Sequence, residues 1–161
     1  MSKTITVATT ASDPTVAAAT AQFLSPVVLG LQALVLNGKQ AHWHVRGANF
    51  VGVHELFDSV VAHAGDFADT AAERVVALGL PIDARATTVA AKVTATAVPD
   101  GFTQSDVLIA DVIADIDVIL ADVQAAIDGL DDIDLTSQDV AIEIRRGLEK
   151  DRWFLASHIA H

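Results

Sequence analysis

The chain contains no cysteine among its 161 residues. Disulfides, thiolate catalysis and sulfur-rich zinc or iron–sulfur sites are therefore excluded. A metal ion bound by this chain must take its ligands from histidine and carboxylate side chains. Basic residues are also scarce, because 10 Lys and Arg stand against 21 Asp and Glu, which gives a net charge of −11. This charge argues against a general affinity for nucleic acid or anionic membranes and favours the attraction of cations.

The sequence also lacks the marks of a secreted or membrane protein. Its start, MSKTITVATTASDPTV, has no basic segment followed by the apolar core of a secretory signal, and no uncharged apolar run reaches about 18 residues. We therefore expect a soluble, cytoplasmic protein. The length and the 52% share of hydrophobic residues suit a single well-buried domain. We expect a flexible tail over residues 1–14 and one domain over residues 15–161.

The apolar pattern predicts four long helices and no series of strands. The predicted helices run from about Thr15 to Val45, Val51 to Leu78, Ser105 to Asp128 and Thr136 to Ile159. Ser105 and Thr136 are the predicted capping residues of the last two. Residues 81–101 form a long crossover, with a short helix predicted around Thr88 to Val93. Four helices with one long connection are typical of an all-α, ferritin-like bundle.

Four potential metal ligands, His54, Asp58, Asp69 and Glu73, lie at symmetric positions in the second predicted helix. At about 100° per residue, all four fall within a sector of about 100° and share one face. At a rise of about 1.5 Å per residue, however, Asp58 and Asp69 stand about 16 Å apart, too far to hold one ion. An antiparallel second copy would bring His54 opposite the partner's Glu73. It would also bring Asp58 opposite the partner's Asp69. We therefore predict two identical metal sites across an isologous dimer interface.

The surroundings of these four residues also favour a shared site. An ordinary di-iron bundle collects its ligands inside one chain and carries Glu-x-x-His pairs on two helices. No such pair occurs in this sequence. Around the midpoint of the four ligands lie the small residues Ala62, Ala64, Gly65, Ala68, Ala71 and Ala72. Small side chains let two helices approach closely, so we expect these residues to form the dimer seam.

The stretch from Lys39 to Arg74, KQAHWHVRGANFVGVHELFDSVVAHAGDFADTAAER, resembles the signature of the Dps family. This family consists of ferritin-like mini-cages named as DNA-binding proteins from starved cells. The resemblance rests on the pair His42 and Trp43, the turn from Gly47 to Phe50, His54 with Asp58, and Asp69 with Glu73. The four-helix plan and the late Trp153 also correspond. The resemblance therefore covers the chain except for its N-terminal tail.

The resemblance implies a hollow shell of twelve subunits with ferroxidase centres at the dimer interfaces. One iron would be bound by His42 of one subunit with Asp69 and Glu73 of the partner subunit. The other would take His54 and Asp58, with Glu73 bridging. The implied reaction is oxidation of two Fe(II) by hydrogen peroxide, with ferric mineral stored in the cavity as protection against oxidative stress. Imidazole and carboxylate suit both iron oxidation states.

Several side chains near the centre have open roles. For Trp43, burial in the core and a part in electron transfer or radical quenching are both open. His44 points nearly opposite to His42, which favours a structural or exposed histidine over an accessory ligand. His63 lies almost at the predicted two-fold midpoint, where a contact with its own copy is plausible and a metal role is less favoured. Glu55 is expected to face the cavity and nucleate mineral.

Acidic residues dominate the second half of the chain. No Lys or Arg occurs between Val93 and Ile144, whereas eleven aspartates and Glu143 do. A solvated face explains many of them. The resemblance places three of them, Asp134, Asp139 and Glu143, at the three-fold pores of the cage. We expect these carboxylates to form a negative funnel that draws Fe(II) inward.

Two alternatives to an iron-storing ferroxidase remain. A site of histidines and carboxylates also activates water, so the first is a metal-dependent amide hydrolase, for instance one acting on N-acyl amino acids. The second is a nucleoid-binding structural protein. The tails disfavour it, because the N-terminal tail has only Lys3, the chain ends ASHIAH, and phosphate contacts require basic residues. We therefore expect no appreciable DNA binding.

Overall fold

The computed structural model of the chain describes residues 13–94 and 96–160. These residues form helices α1 (Pro14–His44), α2 (Phe50–Ala77), α3 (Ala86–Lys92), α4 (Ser105–Leu130) and α5 (Leu135–Ser157), and strands β1 (Val45–Arg46) and β2 (Thr103–Gln104). The predicted bundle is confirmed, and the ends of the four long helices lie within two residues of their predicted positions. The predicted tail lies outside the described residues up to position 12. At position 13, Asp13 already caps α1.

Both predicted helix caps are wrong. Asp134 caps α5, because its carboxylate accepts a hydrogen bond from the amide of Ser137 at the third helical position. Thr136 is already helical. Ser105 is the first residue of α4, and its hydroxyl donates to the carbonyl oxygen of Ala48. It therefore ties α4 to the turn before α2.

That turn reverses the chain between α1 and α2. Gly47 and Asn49 adopt positive φ angles of 97° and 56°, which glycine and asparagine tolerate best. The two-residue strand before the turn pairs in parallel with the strand before α4, with Val45 opposite Thr103. These strands are too short to leave a pattern in the sequence. The turn holds the end of α1 beside the start of α2, and the ladder holds it beside the start of α4.

The core lies between the four long helices. Each contributes fully buried side chains, among them Leu31 of α1, Phe57 of α2, Ile116 of α4 and Leu148 of α5. The short α3 lies outside this core and packs Val89 against α1.

Helix α1 corrects the expectation about apolar runs. Its length and composition would allow it to cross a membrane, since its most apolar 18-residue window has a mean hydropathy of 1.6. Half of that window is buried inside the bundle. Scattered Thr, Gln and Ser residues interrupt the apolar run in the sequence. Because these residues are uncharged, the mean hydropathy of the window stays high. The same apolar surface serves as the core-facing side of a bundle helix.

Candidate metal centre

The turn between α1 and α2 brings two histidines into contact. His42 lies in the last turn of α1, and His54 lies in the second turn of α2. Their rings stack with centroids 3.7 Å apart and planes inclined by 21°. The ring of Phe50 flanks the pair, with its centroid 5.3 Å from that of His54.

A reciprocal pair of hydrogen bonds orients these rings. Nδ1 of His42 donates to the carbonyl oxygen of His54 at 2.8 Å, and Nδ1 of His54 donates to the carbonyl oxygen of His42 at 2.9 Å. A carbonyl oxygen only accepts, so each neutral ring carries its proton on Nδ1 and an unprotonated Nε2. Proteins commonly orient metal-binding imidazoles through such a bond to the other nitrogen. In each neutral ring, Nε2 is therefore the nitrogen that can bind a metal ion.

Asp58 lies one helical turn after His54, and its side chain is 53% exposed. The ammonium group of Lys39, on α1, donates a hydrogen bond to its carboxylate. This hydrogen bond holds the pKa of Asp58 below its usual range, and the positive charge of Lys39 lowers it further. Asp58 is therefore ionised at neutral pH and adds a carboxylate beside the two imidazoles.

The other two members of the predicted centre lie farther along α2. Asp69 and Glu73 are exposed. Among the described residues, no three His, Asp or Glu side chains come together to hold one metal ion. The subunit thus carries two separate groups, which we call the histidine half-site (His42, His54 and Asp58) and the carboxylate half-site (Asp69 and Glu73). Whether the half-sites of two subunits meet remains a prediction.

The small residues between the half-sites divide into two sets. Three of the six, Ala64, Ala68 and Ala71, are buried in the core of their own subunit, with 0% or 1% exposure. The prediction that they form the seam is wrong, because they belong to the inward-facing stripe of α2. The other three, Ala62, Gly65 and Ala72, keep some exposure. A Cβ on Gly65 would meet nothing within 4 Å, so the helix surface there is open.

The neighbours of His42 in the sequence differ in their surroundings. Trp43 is 60% exposed, so its interpretation as a core residue of the subunit is wrong. Nδ1 of His44 donates to the carbonyl oxygen of Gln40 at 2.8 Å, and the ring lies 5.6 Å from that of Phe102. This bond supports the structural interpretation of His44.

His63 makes a contact that the sequence analysis missed. Its Nδ1 lies 3.0 Å from both carboxylate oxygens of Asp151, a buried residue of α5. Burial raises the pKa of Asp151, and the contact with His63 opposes this shift. Nine residues turn His63 about 180° from His54 around α2, so it faces α5, and a contact with its own copy stays a prediction. This angle follows from residue spacing alone, so the sequence already indicated that His63 lies on a different face of α2 from His54.

The three predicted pore residues lie at the start of α5 but have different surroundings. Asp134 accepts hydrogen bonds from Ser137 and, at 2.6 Å, from Nη2 of Arg74. Burial alone would raise the pKa of Asp134, but these hydrogen bonds and the charge of Arg74 lower it overall. Asp139 and Glu143 are exposed, as is Glu55 on α2. Asp134 therefore has a structural task in the subunit in addition to any role at a pore.

The bundle and its two half-sites define a ferritin-like protein. In agreement, a family model described as a ferritin-like domain matches residues 30–161. The chain is 34% identical over 129 residues to the "DNA protection during starvation protein" of Mycolicibacterium smegmatis, which covers 78% of this chain and 69% of the relative. It is 32% identical over 127 residues to the protein of the same description from Agrobacterium fabrum, covering 78% of each.

Solved structures show the same likeness. "Dps from Microbacterium arborescens in the high iron form" is 68% identical, with a TM-score of 0.93 over 96% of this chain and 100% of that chain. Dps from Mycobacterium smegmatis in a tetragonal form is 28% identical, with a TM-score of 0.86 over 98% of this chain and 96% of that chain. The chain therefore belongs to the Dps family.

Proposed function

We propose that this protein is an iron-storage ferroxidase whose centres are shared between the two subunits of a dimer. The observation that carries the proposal is the stacked pair His42 and His54, whose Nδ1 atoms are engaged by backbone carbonyls so that each neutral ring keeps Nε2 for a metal ion near the ionised Asp58. Membership of the Dps family and the similarity to a Dps structure described as a high iron form add support.

Each centre would combine the histidine half-site of one subunit with the carboxylate half-site of its partner. His42 would bind one Fe(II) together with Asp69 and Glu73 of the partner subunit. His54 and Asp58 would bind the other Fe(II), with Glu73 of the partner subunit bridging the two ions. Two imidazoles and three carboxylates form a mixed nitrogen and oxygen ligand set that suits iron before and after oxidation.

The proposed oxidant is hydrogen peroxide. Each of two Fe(II) ions loses one electron, and one peroxide molecule takes both electrons and two protons to give two water molecules. Removing the electrons as a pair avoids the one-electron reduction of peroxide that releases hydroxyl radical. Trp43, exposed next to His42 in the sequence, would donate an electron or quench a radical if one escapes.

The ferric product would be stored as mineral inside a shell of twelve subunits, with Glu55 helping to nucleate it. Asp134, Asp139 and Glu143 would line the three-fold pores through which Fe(II) reaches the interior. The net charge of −11 per subunit supports cation uptake and opposes binding to phosphate. We propose that the shell works in the cytoplasm without binding DNA, which a stable gel-shift complex at physiological salt would contradict.

The test is the initial rate of Fe(II) oxidation by hydrogen peroxide in the assembled protein. His42→Ala, His54→Ala and Asp58→Asn should each lower this rate by about 100-fold or more, since even an outer-sphere partner of a metal costs up to about 100-fold. Asp66→Asn is the matched control, because Asp66 is also exposed on α2 but lies outside both half-sites. An unchanged rate in His54→Ala would contradict the proposal, and amide turnover without an oxidant in a protein that does not oxidise Fe(II) would favour the hydrolase alternative.

A further inference from the structure

A cavity of about 580 Å³ opens between α1, α4 and the end of α3. Small-molecule sites in proteins usually measure about 300–1,000 Å³. The cavity is therefore large enough to hold a small organic molecule. None of the described residues that line it belongs to either half-site, so its ligand would not be an iron ion of the proposed centre.

Most of the cavity wall is apolar. Leu34 of α1 and Ile119 of α4 are buried along it, and Val118 of α4 lines it while remaining 48% exposed. Moving an alkyl or aromatic group from water onto such a wall is favourable. The wall therefore suits a ligand with an apolar body.

Two carboxylates line the same cavity, but only one of them has partners in the subunit. Asp115 accepts hydrogen bonds from the side-chain amide of Asn37 at 2.9 Å and from the hydroxyl of Thr96 at 2.7 Å. Asp122 is half-buried, and among the described residues none donates a hydrogen bond to it or forms an ion pair with it. Burial alone raises the pKa of Asp122. A cation bound at Asp122 would offset this cost of burial.

A backbone carbonyl adds a second acceptor to the wall of the cavity. Pro26 lies inside α1 and has no N–H, so the carbonyl oxygen of Gln22, four residues earlier, loses its regular helical donor. Gly30 packs against Ile119, and α1 and α4 run antiparallel. Asp122, one turn after Ile119, therefore lies near the level of Pro26, one turn before Gly30. Both acceptors thus lie in the same part of the cavity.

We propose that this cavity binds an amphipathic organic amine, with its ammonium group at Asp122 and its apolar body on the wall formed by α1 and α4. An ammonium group has three N–H donors and no acceptor, which matches the carboxylate of Asp122 and the carbonyl oxygen of Gln22. Lys92 also lines the cavity. Its single positive charge stands against the two carboxylates, so the cavity favours a cationic ligand over an anionic one.

Two competing explanations leave no room for an added ligand. In the first, the side chain of Lys92 swings over the cavity and neutralises Asp122. In the second, another subunit fills the cavity when the protein assembles. Under either explanation, the assembled protein would bind no added amine. Binding measurements on the assembled protein therefore separate the proposal from both.

The experiment is titration calorimetry of n-octylamine into the assembled protein at neutral pH, where we expect one molecule to bind per subunit. Two matched ligands separate the two parts of the proposed interaction. The compound n-octanol has the same chain without the charge, and methylamine has the charge without the chain. Each should bind at least about tenfold more weakly than n-octylamine, because each loses either a charge-assisted hydrogen bond or the buried alkyl chain.

Two substitutions locate the site. Asp122→Asn should weaken n-octylamine by about tenfold and change n-octanol by less than about twofold, because only the charge is lost. Unchanged binding of n-octanol also shows that this variant keeps the cavity. Val118→Ser removes part of the apolar wall, so it should weaken both ligands alike, by about threefold.

Asp128→Asn is the control for net charge, because Asp128 is exposed on α4 and does not line the cavity. An equal loss in Asp128→Asn and Asp122→Asn would overturn the proposal in favour of a general charge effect. Absence of n-octylamine binding to the wild type, or unchanged binding in Asp122→Asn, would also overturn it. Such a failure leaves the proposed function intact, since that function is measured by Fe(II) oxidation and does not involve Asp122.

Discussion

The two half-sites lie on one surface of the subunit, yet only one is organised before a partner arrives. His42 and His54 are stacked and hydrogen-bonded to each other's backbone, and Asp58 is held by Lys39. Asp69 and Glu73 are exposed, and neither makes a side-chain hydrogen bond within the described part of the chain. An imidazole must present one particular nitrogen in one protonation state, whereas an ionised carboxylate offers two equivalent oxygens. The fold therefore has more to arrange in the histidine half-site.

The largest expected effect comes from separating the half-sites genetically. His54→Ala damages only the histidine half-site, and Glu73→Gln damages only the carboxylate half-site. Each variant alone should lose peroxide-dependent Fe(II) oxidation by about 100-fold. In a dimer with one subunit of each kind, one centre carries both lesions and the other carries none. Random co-assembly should therefore restore about a quarter of the wild-type rate, because half of the dimers are mixed.

The control is co-assembly of His54→Ala with Asp58→Asn. Both changes lie in the histidine half-site, so a mixed dimer has one lesion in each centre and should stay inactive. Absence of recovery in the first mixture, with mixed dimers shown by mass spectrometry, would mean that the half-sites of two subunits do not combine.

The same contrast between engaged and free carboxylates recurs at the start of α5. Asp134 is tied to Arg74 and Ser137, whereas Asp139 and Glu143 are exposed. Replacing all three by their amides should slow iron uptake by roughly tenfold at low salt, since a charged funnel raises the rate of cation arrival. Asp139→Asn with Glu143→Gln should produce most of this effect and leave assembly intact, as checked by size-exclusion chromatography. Unchanged uptake would exclude the funnel.

The two half-sites should also differ in how much they contribute to the free energy of unfolding. His42→Ala removes a ring stack and leaves the carbonyl oxygen of His54 without one donor, so the free energy of unfolding should fall by about 1–2 kcal/mol. Asp69→Asn combined with Glu73→Gln should change it by less than about 0.5 kcal/mol in dissociated subunits. Urea unfolding at one subunit concentration measures both, and equal losses would contradict the contrast.

The smallest expected effect concerns the pH dependence of Asp134. Its pKa is lowered in the folded subunit from the usual value of 3.8, chiefly by hydrogen bonds from Ser137 and Arg74 that outweigh burial. The resulting stabilisation is fully present above pH 3.8 and is lost as the pH falls through the lowered folded pKa. Asp134→Asn keeps a capping oxygen but loses the charge, so it should cost about 1 kcal/mol at pH 6. The difference from wild type should shrink below pH 3.8; a constant difference would contradict this origin.

Much of the fold was predictable because an amphipathic helix leaves a periodic apolar pattern in its own stretch of sequence. Apolar periodicity located the four long helices, and their observed ends differ from the predicted ends by two residues at most. Residue spacing alone also placed four members of the centre on one helix. His42 was different, because it lies on α1, and no spacing within α2 points to it; only the family resemblance did. Lys39 likewise contacts Asp58 from another helix.

By itself, the sequence determined the types of ligand, the helices and the shared face of His54, Asp58, Asp69 and Glu73. The absence of cysteine fixes the types of ligand, and the geometry of one helix fixes the shared face. Both depend only on residues close together in the chain. Only the tertiary structure decided how the two histidines are oriented, that Lys39 contacts Asp58, that His63 contacts Asp151, and which small residues turn inward. Those features depend on the turn at Gly47 and Asn49 and on how whole helices pack. Packing joins residues far apart in the chain, and periodicity carries no record of such pairs.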